Sequence, residues 1–223
     1  YGIKFEELHN GKSLPKVKKL IQFAKKNSRI VAILVNKNTF TTSNIKKKKS
    51  NNHKLLRRNV LFEVLKQSSK KDKFFSSVGF NSRELYQVSK ERKISRKIFY
   101  LIGGMGHTAA IALGSNLFDK NVKNTICIDG DGSFLMHMGS LANCGNFSKN
   151  NFKYLIFKND MHESIGNIDL KLAMDYEKFS ASVGFKKFIL TKENQSLKNN
   201  IKKFLDYKGS VFHLVHVKND TFD

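Results

Sequence analysis

The sequence predicts an α/β protein with a doubly wound parallel sheet and helices on both faces, preceded by a fragment of a second α/β domain. Segments typical of strands alternate with segments typical of helices along most of the 223 residues. Most of the strand segments are continuous apolar runs, as in sheets that are covered on both faces. Hydrophobic residues make up 40 % of the chain and include 19 phenylalanines, enough to fill a core.

The first 40 residues contain one predicted helix, Leu14–Lys26, and one predicted buried strand, Ile30–Val35. A single helix and a single strand cannot bury both of their faces, so we expect residues 1–40 to dock on something else. Residues 41–54 are rich in Thr, Ser, Asn and Lys, which predicts a basic, solvated linker.

Residues 55–223 are predicted to form the main domain, opening with a helix at Leu55–Gln67. The predicted strands are Phe74–Gly79, Ile98–Ile102, Thr125–Asp129, Phe152–Phe157, Lys186–Leu190 and Val211–Val217. The predicted helices between them are Asn81–Lys90, Met105–Phe118, Ser133–Asn146, Asp175–Val183 and Asn194–Tyr207.

Composition narrows the classes of function. The net charge is +23, from 41 Lys and Arg against 18 Asp and Glu, which is the usual mark of a nucleic-acid binder. The lysines are spread evenly, however, and the only tight run, Lys46–Lys49, lies in the predicted linker, so we expect no nucleic-acid partner. No apolar run approaches the roughly 20 residues that cross a membrane.

The cysteines and the start of the chain favour a cytoplasmic protein. Two cysteines, Cys127 and Cys144, cannot form a disulfide scaffold or a zinc site of four cysteines, and we expect both to be small core residues. The chain begins at Tyr1 without a cationic, apolar leader. We therefore expect a fragment or a trimmed chain in a reducing compartment.

One strand ends in an unusual polar turn. Apolar residues 126–128 lead through Asp129 into Gly130-Asp131-Gly132-Ser133, and a predicted helix follows at once. Glycines let a ligand approach the backbone, and a serine at a helix start can donate to an anion. A carboxylate beside an anion needs a bridging cation, and Mg²⁺ prefers oxygen ligands. Asp131 and Asn159, at the end of the next strand, could share that ion.

Two further strand ends carry glycines and small polar residues. One is Ile102–Gly106, which includes Gly103 and Met105, and the other contains Gly79, Asn81 and Ser82. Ligands of doubly wound sheets bind where the carboxyl ends of the strands meet. A turn with a capping aspartate is the alternative interpretation of a Gly-Asp-Gly sequence alone, but three such strand ends favour a phosphate-sized binding site.

These motifs resemble those of the thiamine-diphosphate-dependent decarboxylases. Gly130-Asp131-Gly132 followed by 26 residues and Asn159 matches the fingerprint of that superfamily. Within it, the chain is similar to phosphonopyruvate decarboxylases, with sulfopyruvate decarboxylases as close relatives. The segments that carry this finer resemblance are Ser82–Leu85, Gly104–His107, Gly130–Gly139 and His162–Gly166. The resemblance covers residues 55–217 as a diphosphate-binding domain and implies that residues 1–40 end a pyrimidine-binding domain.

The resemblance implies a ligand set. Mg²⁺ would be held by the side chains of Asp131 and Asn159 and by the backbone carbonyl of Met161. Met105 would wedge between the two rings of thiamine diphosphate. The full set implied for cofactor binding is Asn81, Ser82, Gly103, Met105, Gly130, Gly132 and Ser133.

Four further side chains are candidates for chemistry or substrate binding. His162 and Glu163 follow the metal loop, where one of them could act as a general acid, or both could be solvated. His107 lies either at the active site or in the packing of a helix start. Arg83 either meets the substrate's anionic group or pairs with a carboxylate. We expect His137 to be a core residue and the two histidines of the last strand, His213 and His216, to be structural.

The implied function is decarboxylation of 3-phosphonopyruvate to phosphonoacetaldehyde and CO₂ in phosphonate biosynthesis. The alternatives are the beta-type subunit of a sulfopyruvate decarboxylase and a non-catalytic remnant domain. The family's catalytic Glu lies in a pyrimidine-binding domain, so we expect that domain or subunit in trans, in a homo- or hetero-oligomer, and little turnover by this chain alone.

Three positions depart from the family's pattern. Lys158 stands where the first of two asparagines is usual, and Asp160 stands where a glycine is usual. Residues 167–169 replace a stretch that resembles Gly-Gln-Pro-Thr in relatives. These departures bear on the geometry of the metal loop and of the loop that follows it.

Overall fold

The computed structural model describes residues 2–40, 52–163, 168–170 and 172–219. The chain forms two compact units, which divide between Lys48 and Lys49. The division falls in the segment predicted to be a linker, of which residues 41–51 lie outside the described residues. None of the helices in the described ranges has the length and apolar character needed to span a membrane.

The first unit is a β-α-β arrangement. Strand β1 (Lys4–Leu8), helix α1 (Leu14–Asn27) and strand β2 (Val31–Val35) follow one another, and β1 pairs in parallel with β2. The predicted helix is confirmed to within one residue: Pro15 stands in its first turn, where proline is tolerated, and Ser28, with φ of 49°, ends it in a left-handed cap. Sequence reasoning missed β1, whose two glutamates interrupt its apolar pattern.

The prediction of a strand at residues 30–35 is confirmed, but the prediction that this strand is buried is wrong. The strand exists, but Ile30 is 80 % exposed and Leu34 and Val35 are about half exposed. Consecutive residues of a strand point to opposite faces, so Leu34 and Val35 show that this unit covers neither face of β2 completely. Two strands and one helix are too few elements to do so.

The second unit is built on a six-stranded, all-parallel sheet. Its strands are β3 (Lys73–Ser76), β4 (Lys97–Tyr100), β5 (Thr125–Gly130), β6 (Phe152–Lys158), β9 (Lys187–Thr191) and β10 (Val211–His216). Their order in the sheet is β4-β3-β5-β6-β10-β9. Its helices are α2 (Arg57–Gln67), α3 (Phe80–Glu91), α4 (Thr108–Phe118), α5 (Asp131–Met136), α6 (Ser140–Phe147), α7 (Tyr176–Ser182) and α8 (Asn194–Asp206). A short antiparallel ribbon, β7 (Met161–His162) with β8 (Ile168–Asp169), follows β6. The predicted fold class is confirmed.

The core has two layers, one on each face of the sheet. Strand β5 shows why its sequence is continuously apolar: Ile126 and Ile128 pack into one layer and Cys127 into the other. Helices α2, α3 and α8 cover the first layer, and α4, α6 and α7 cover the second. Cys127 and Cys144 are buried and free, as expected.

Two predicted helices have different bounds in the structure. The helix predicted at Met105–Phe118 begins at Thr108, because the preceding loop has three glycines with φ between 56° and 91°, a region that L side chains avoid. The helix predicted at Ser133–Asn146 is two helices, α5 and α6, separated at residues 137–139. Met105 thus lies in a loop and not in a helix.

The topology places a crevice beside β5. From β3 the chain moves outward to β4 and then returns past β3 to β5, so the strand order reverses between β3 and β5. The two connecting helices, α3 and α4, pack on opposite faces of the sheet. Crevices at such reversal points are the usual ligand sites of doubly wound sheets.

Candidate functional site

A cleft lies where the carboxyl ends of β3, β5 and β6 meet. Ten of the fourteen predicted site residues line it. They are Asn81, Met105, Gly130, Asp131, Gly132, Ser133, Asn159, Met161, His162 and Glu163. The three strand ends that sequence reasoning singled out therefore all contribute to the cleft, although the loop after β4 contributes only Met105.

Asp131 joins the end of β5 to the turn after β6. Its Oδ2 accepts hydrogen bonds from the backbone N–H groups of Asn159 (3.0 Å) and Asp160 (2.8 Å), and its Oδ1 accepts from Gly132 (2.9 Å). Burial raises the pKa of Asp131 to about 6, against these hydrogen bonds. The Asn159 Oδ1 accepts from the N–H of Met161 at 3.1 Å. The Asp131 carboxylate and the turn that carries the Asn159 carboxamide thus lie side by side, and both side chains offer oxygen.

A buried carboxylate behind the cleft, Asp129, was missed by sequence reasoning. Its Oδ2 accepts from the Tyr154 hydroxyl and its Oδ1 from the Gly130 N–H, both at 2.9 Å. Burial raises the pKa of Asp129, and the hydroxyls of Ser133, Tyr154 and Ser77 oppose that shift. The signal was present in the sequence: a charged residue ends an otherwise apolar strand, and a buried charge requires partners.

The same network holds two of the predicted ligand-binding residues. The Ser77 hydroxyl accepts from the Asn81 side-chain amide at 2.9 Å. The Ser133 hydroxyl accepts from the backbone N–H of Gly106 at 3.0 Å. Because the Ser133 hydroxyl also contacts Asp129, it is engaged inside the protein, whereas the sequence predicted that it would face an anion.

His162 lies directly on the glycines of the β5 turn. A Cβ built on Gly132 would be 2.6 Å from Nδ1 and Cε1 of His162 and 3.5 Å from the terminal methyl of Met105. A Cβ on Gly130 would be 3.2 Å from the amide nitrogen of Asn81. Both glycines are therefore needed for close approach, and in this structure the approaching groups are side chains of the predicted site.

Glu163 is neither solvated nor directed at an open space. It forms an ion pair with Arg57, whose guanidinium also donates to Glu84 at 2.5 Å, and all three side chains are at most 5 % exposed. Burial raises the pKa of Glu84, and Arg57 opposes that shift. Sequence reasoning missed Arg57. Its signal was a cation in the first turn of a helix, where the helix dipole disfavours positive charge.

Two of the predicted residues outside the cleft are explained by their helix and loop. The Ser82 hydroxyl donates to the backbone carbonyl of Ser77 at 2.7 Å, so it stabilises the first turn of α3. Gly103 is exposed in the loop before α4, with φ of 80°. The predicted direct roles of Ser82 and Gly103 in binding have no support from this geometry.

The other two predicted site residues outside the cleft, His107 and Arg83, are exposed side chains that pack on aromatic rings. The His107 ring lies 4.1 Å from the ring of His137, and both are exposed, so the prediction that His137 is a core residue is wrong. The Arg83 guanidinium lies 5.4 Å from the ring of Phe80, which itself lines the cleft. His213, in contrast, is fully buried as expected.

The two departures in the metal loop interact with each other. Lys158 forms an ion pair with Asp160, whose other oxygen lies 3.4 Å from Nε2 of His53. Although burial opposes it, Lys158 lowers the pKa of Asp160. Asp160 has φ of 62°, a left-handed conformation that aspartate tolerates better than most residues. Of the third departure, residue 167 lies outside the described residues.

Sequence and structure comparisons agree with this geometry. Residues 77–217 match the model of the thiamine pyrophosphate enzyme C-terminal TPP binding domain. A phosphonopyruvate decarboxylase of Streptomyces viridochromogenes is 35 % identical over 112 residues, which are 50 % of this chain and 27 % of that protein. The sulfopyruvate decarboxylase subunit beta of Methanococcus maripaludis is 34 % identical over 135 residues, 60 % of this chain and 69 % of that subunit.

A solved structure shares the fold. A crystal structure described as that of a thiamin diphosphate-dependent enzyme from Mycobacterium smegmatis superposes with a TM-score of 0.59 at 16 % identity, covering 73 % of this chain and 32 % of that one. The chain thus spans about a quarter of the phosphonopyruvate decarboxylase and about two thirds of the beta subunit that it matches.

Proposed function

The chain belongs to the thiamine pyrophosphate enzymes, since the C-terminal TPP binding domain of that family matches residues 77–217. We propose that it supplies the diphosphate- and Mg²⁺-binding part of a decarboxylase for 3-phosphonopyruvate. The products would be phosphonoacetaldehyde and CO₂, and the likeness to a phosphonopyruvate decarboxylase supports this substrate. The observation that carries the proposal is the pair of hydrogen bonds from the turn after β6 to Asp131, which brings the two expected metal ligands together.

The residues of the cleft fit the metal and the cofactor. Asp131 and Asn159 would hold Mg²⁺ with the carbonyl of Met161, a set of three oxygen donors that suits a hard cation. The Asn81 amide and the backbone around Gly132 line the cleft and would hold the diphosphate. Thiamine diphosphate, when bound, supplies the electron sink that carboxyl loss requires.

Two side chains of the cleft have roles that follow from their positions. Met105 projects from the loop before α4 into the cleft, where it would support the bent cofactor and exclude water. The imidazole of His162 lies over Gly132 in the cleft, and we expect its ring nitrogen to hold a proton for the reacting carbon.

Titration calorimetry of the 223-residue chain tests the binding proposal. We expect thiamine diphosphate to bind in the presence of Mg²⁺ and at least tenfold more weakly after chelation with EDTA. Asp131→Asn should abolish the dependence on metal, whereas Asp119→Asn, which alters a carboxylate outside the cleft that pairs with Lys73, should retain it. Absence of metal-dependent binding, even with a pyrimidine-binding partner present, would leave a non-catalytic domain as the remaining interpretation.

A second substrate has a specific observation in its favour. The chain is 33–36 % identical to the beta subunits of three sulfopyruvate decarboxylases, as similar as it is to the phosphonopyruvate decarboxylases at 35 %. CO₂ release from 3-phosphonopyruvate and from sulfopyruvate, measured in parallel with one assembled enzyme, separates the two. A preference for sulfopyruvate would overturn the first assignment and leave the decarboxylase chemistry intact.

The partner is part of the same proposal. Residues 1–40 would be the end of a pyrimidine-binding domain, and a complete domain of that kind, with the catalytic Glu, would meet the cleft in trans. The exposed apolar side chains of β2 support this, because uncovered apolar surface is typical of a site that packs against another element. Two buried, free cysteines support a reducing, cytoplasmic location. Copurification with a pyrimidine-binding subunit, and gain of turnover on mixing, are the expected results.

A further inference from the structure

The turn that carries His162 has little to fix it locally. Strand β7 is only two residues long and pairs with the equally short β8, which is exposed. Within the described part of the chain, the His162 ring has no hydrogen-bond partner, and it lies over Gly132, where Nδ1 and Cε1 are 2.6 Å from the position of a Cβ on that glycine. A two-residue ribbon gives weak positional control. Whatever places this ring must therefore act through a neighbouring residue.

That neighbour is Glu163, which is anchored from a distant part of the chain. Its carboxylate pairs with Arg57, which lies 106 residues earlier, in the first turn of α2. Arg57 is held in turn by Glu84 of α3 at 2.5 Å and lies 5.9 Å from the ring of Phe157, at the end of β6. The guanidinium therefore joins α2, α3, β6 and the His162 turn at one buried point.

We propose that Arg57 is a positioning residue whose ion pair with Glu163 holds the His162 ring in the cleft. The proposal rests on the proposed function only in assigning the cleft to a ligand. The planar guanidinium suits this task, because it donates to two carboxylates at once in fixed directions, which an ammonium group does not. Glu84 supplies the second carboxylate, so that Arg57 is oriented before Glu163 meets it.

Glu163 meets Arg57 through its Oε2. Its second oxygen, Oε1, is buried without a partner among the described residues and belongs to a residue that lines the cleft. A hydrogen-bond donor on the bound ligand would satisfy that oxygen.

Histidine-labelled protein provides a direct test without turnover. The full chain has 7 histidines, and the ring signals of His162 in a ¹H–¹³C spectrum are assigned by their loss in His162→Gln. Glu163→Gln removes the charge without changing shape, and Arg57→Lys keeps the charge but loses the planar fork. Arg58→Lys is the matched control, since Arg58 pairs with the exposed Glu91 at 2.9 Å.

We expect Glu163→Gln and Arg57→Lys each to move the His162 ring signals toward those of the exposed His107 and to speed backbone amide exchange at His162 at least tenfold. Arg58→Lys should change neither. The melting temperature of Glu163→Gln should stay within a few degrees of the wild type, which separates a positioning role from a merely structural one. If either variant leaves His162 in place, or if Arg58→Lys moves it equally, the proposal is wrong.

Measuring thiamine diphosphate binding separates the test of this inference from the test of the proposed function. In wild-type protein, metal-dependent binding of thiamine diphosphate reports on the proposed function alone. In Glu163→Gln we expect that affinity to fall by about three- to tenfold, with the diphosphate and metal ligands untouched. Loss of binding in the wild type with an ordered His162 ring would refute the proposed function and retain the positioning role of Arg57.

Discussion

Three helix glycines provide a graded test of how close contacts shape the site. Replacing glycine by alanine in a helix gains up to about 1 kcal/mol of helix propensity at any of them. What differs is the atom that the new methyl group meets. At Gly114 of α4, the new methyl group has no neighbour within 4 Å. At Gly132 of α5, it would lie 2.6 Å from the ring of His162. At Gly145 of α6, it would lie 1.9 Å from the backbone carbonyl oxygen of Val183.

These contacts predict three different outcomes. Gly114→Ala should raise the free energy of unfolding by about 0.5–1 kcal/mol. Gly145→Ala should lower it by about 2 kcal/mol or more, because a backbone that must move by more than 1 Å outweighs the gain in propensity. Gly132→Ala should change it by about 1 kcal/mol or less, because a side chain can rotate away, but the rotation displaces His162.

Urea unfolding followed by circular dichroism measures the free energies, and melting temperatures check them. For a chain of this size about 1 kcal/mol corresponds to roughly 2–4 °C. The His162 ring signals report the third outcome, and we expect them to shift in Gly132→Ala but not in Gly114→Ala. Equal stability of Gly145→Ala and Gly114→Ala would refute the reasoning, since it would mean that the close approach at Gly145 does not exist.

Two further predictions concern buried polar groups. Burial lowers the pKa of His213 to about 3. Below its ordinary pKa of about 6.5, this histidine is protonated in the unfolded chain but not in the folded chain. The free energy of unfolding therefore falls as the pH falls from 6.5 toward 3. Between pH 7.5 and 5.0 we expect wild type to lose about 2 kcal/mol more than His213→Gln in urea unfolding; equal losses would contradict this. Tyr154→Phe removes one of the donors to Asp129, which should cost about 1–2 kcal/mol by the same assay, while Lys54→Ala, which breaks an exposed pair with Glu193, should cost under about 0.5 kcal/mol.

The sheet was predictable because its signal is local. The apolar runs of β3, β5, β6 and β10 are buried on both faces, whereas the edge strands β4 and β9 keep exposed side chains. Each run lies between helical segments, so the sequence of elements follows from periodicity. In the first unit the same signal was misleading. Residues 30–35 have the composition of a buried strand, but burial depends on what covers the strand, which the sequence of the strand does not contain.

The site was predictable to the extent that it is made of strand ends. Glycines and small polar residues that follow apolar runs mark Gly130, Asp131 and Asn159, and topology brings them together. Arg57 was not predictable in this way, because its partner Glu163 lies 106 residues away and no local spacing connects them. The engaged hydroxyl of Ser133 was also out of reach, since it depends on a buried network.

The ion pair between Lys158 and Asp160 has a consequence for how this loop can have diverged from its relatives. Replacing Asp160 alone by glycine would leave the Lys158 ammonium group, whose side chain is only 14 % exposed, without its ion-pair partner. Replacing Lys158 alone would leave the Asp160 carboxylate, on a residue in the left-handed conformation, unneutralised beside Asp131. Each single step is worse than both together, so the two positions should be inherited as a unit. Among homologous genes, lysine at the first position should therefore accompany an acidic residue two positions later.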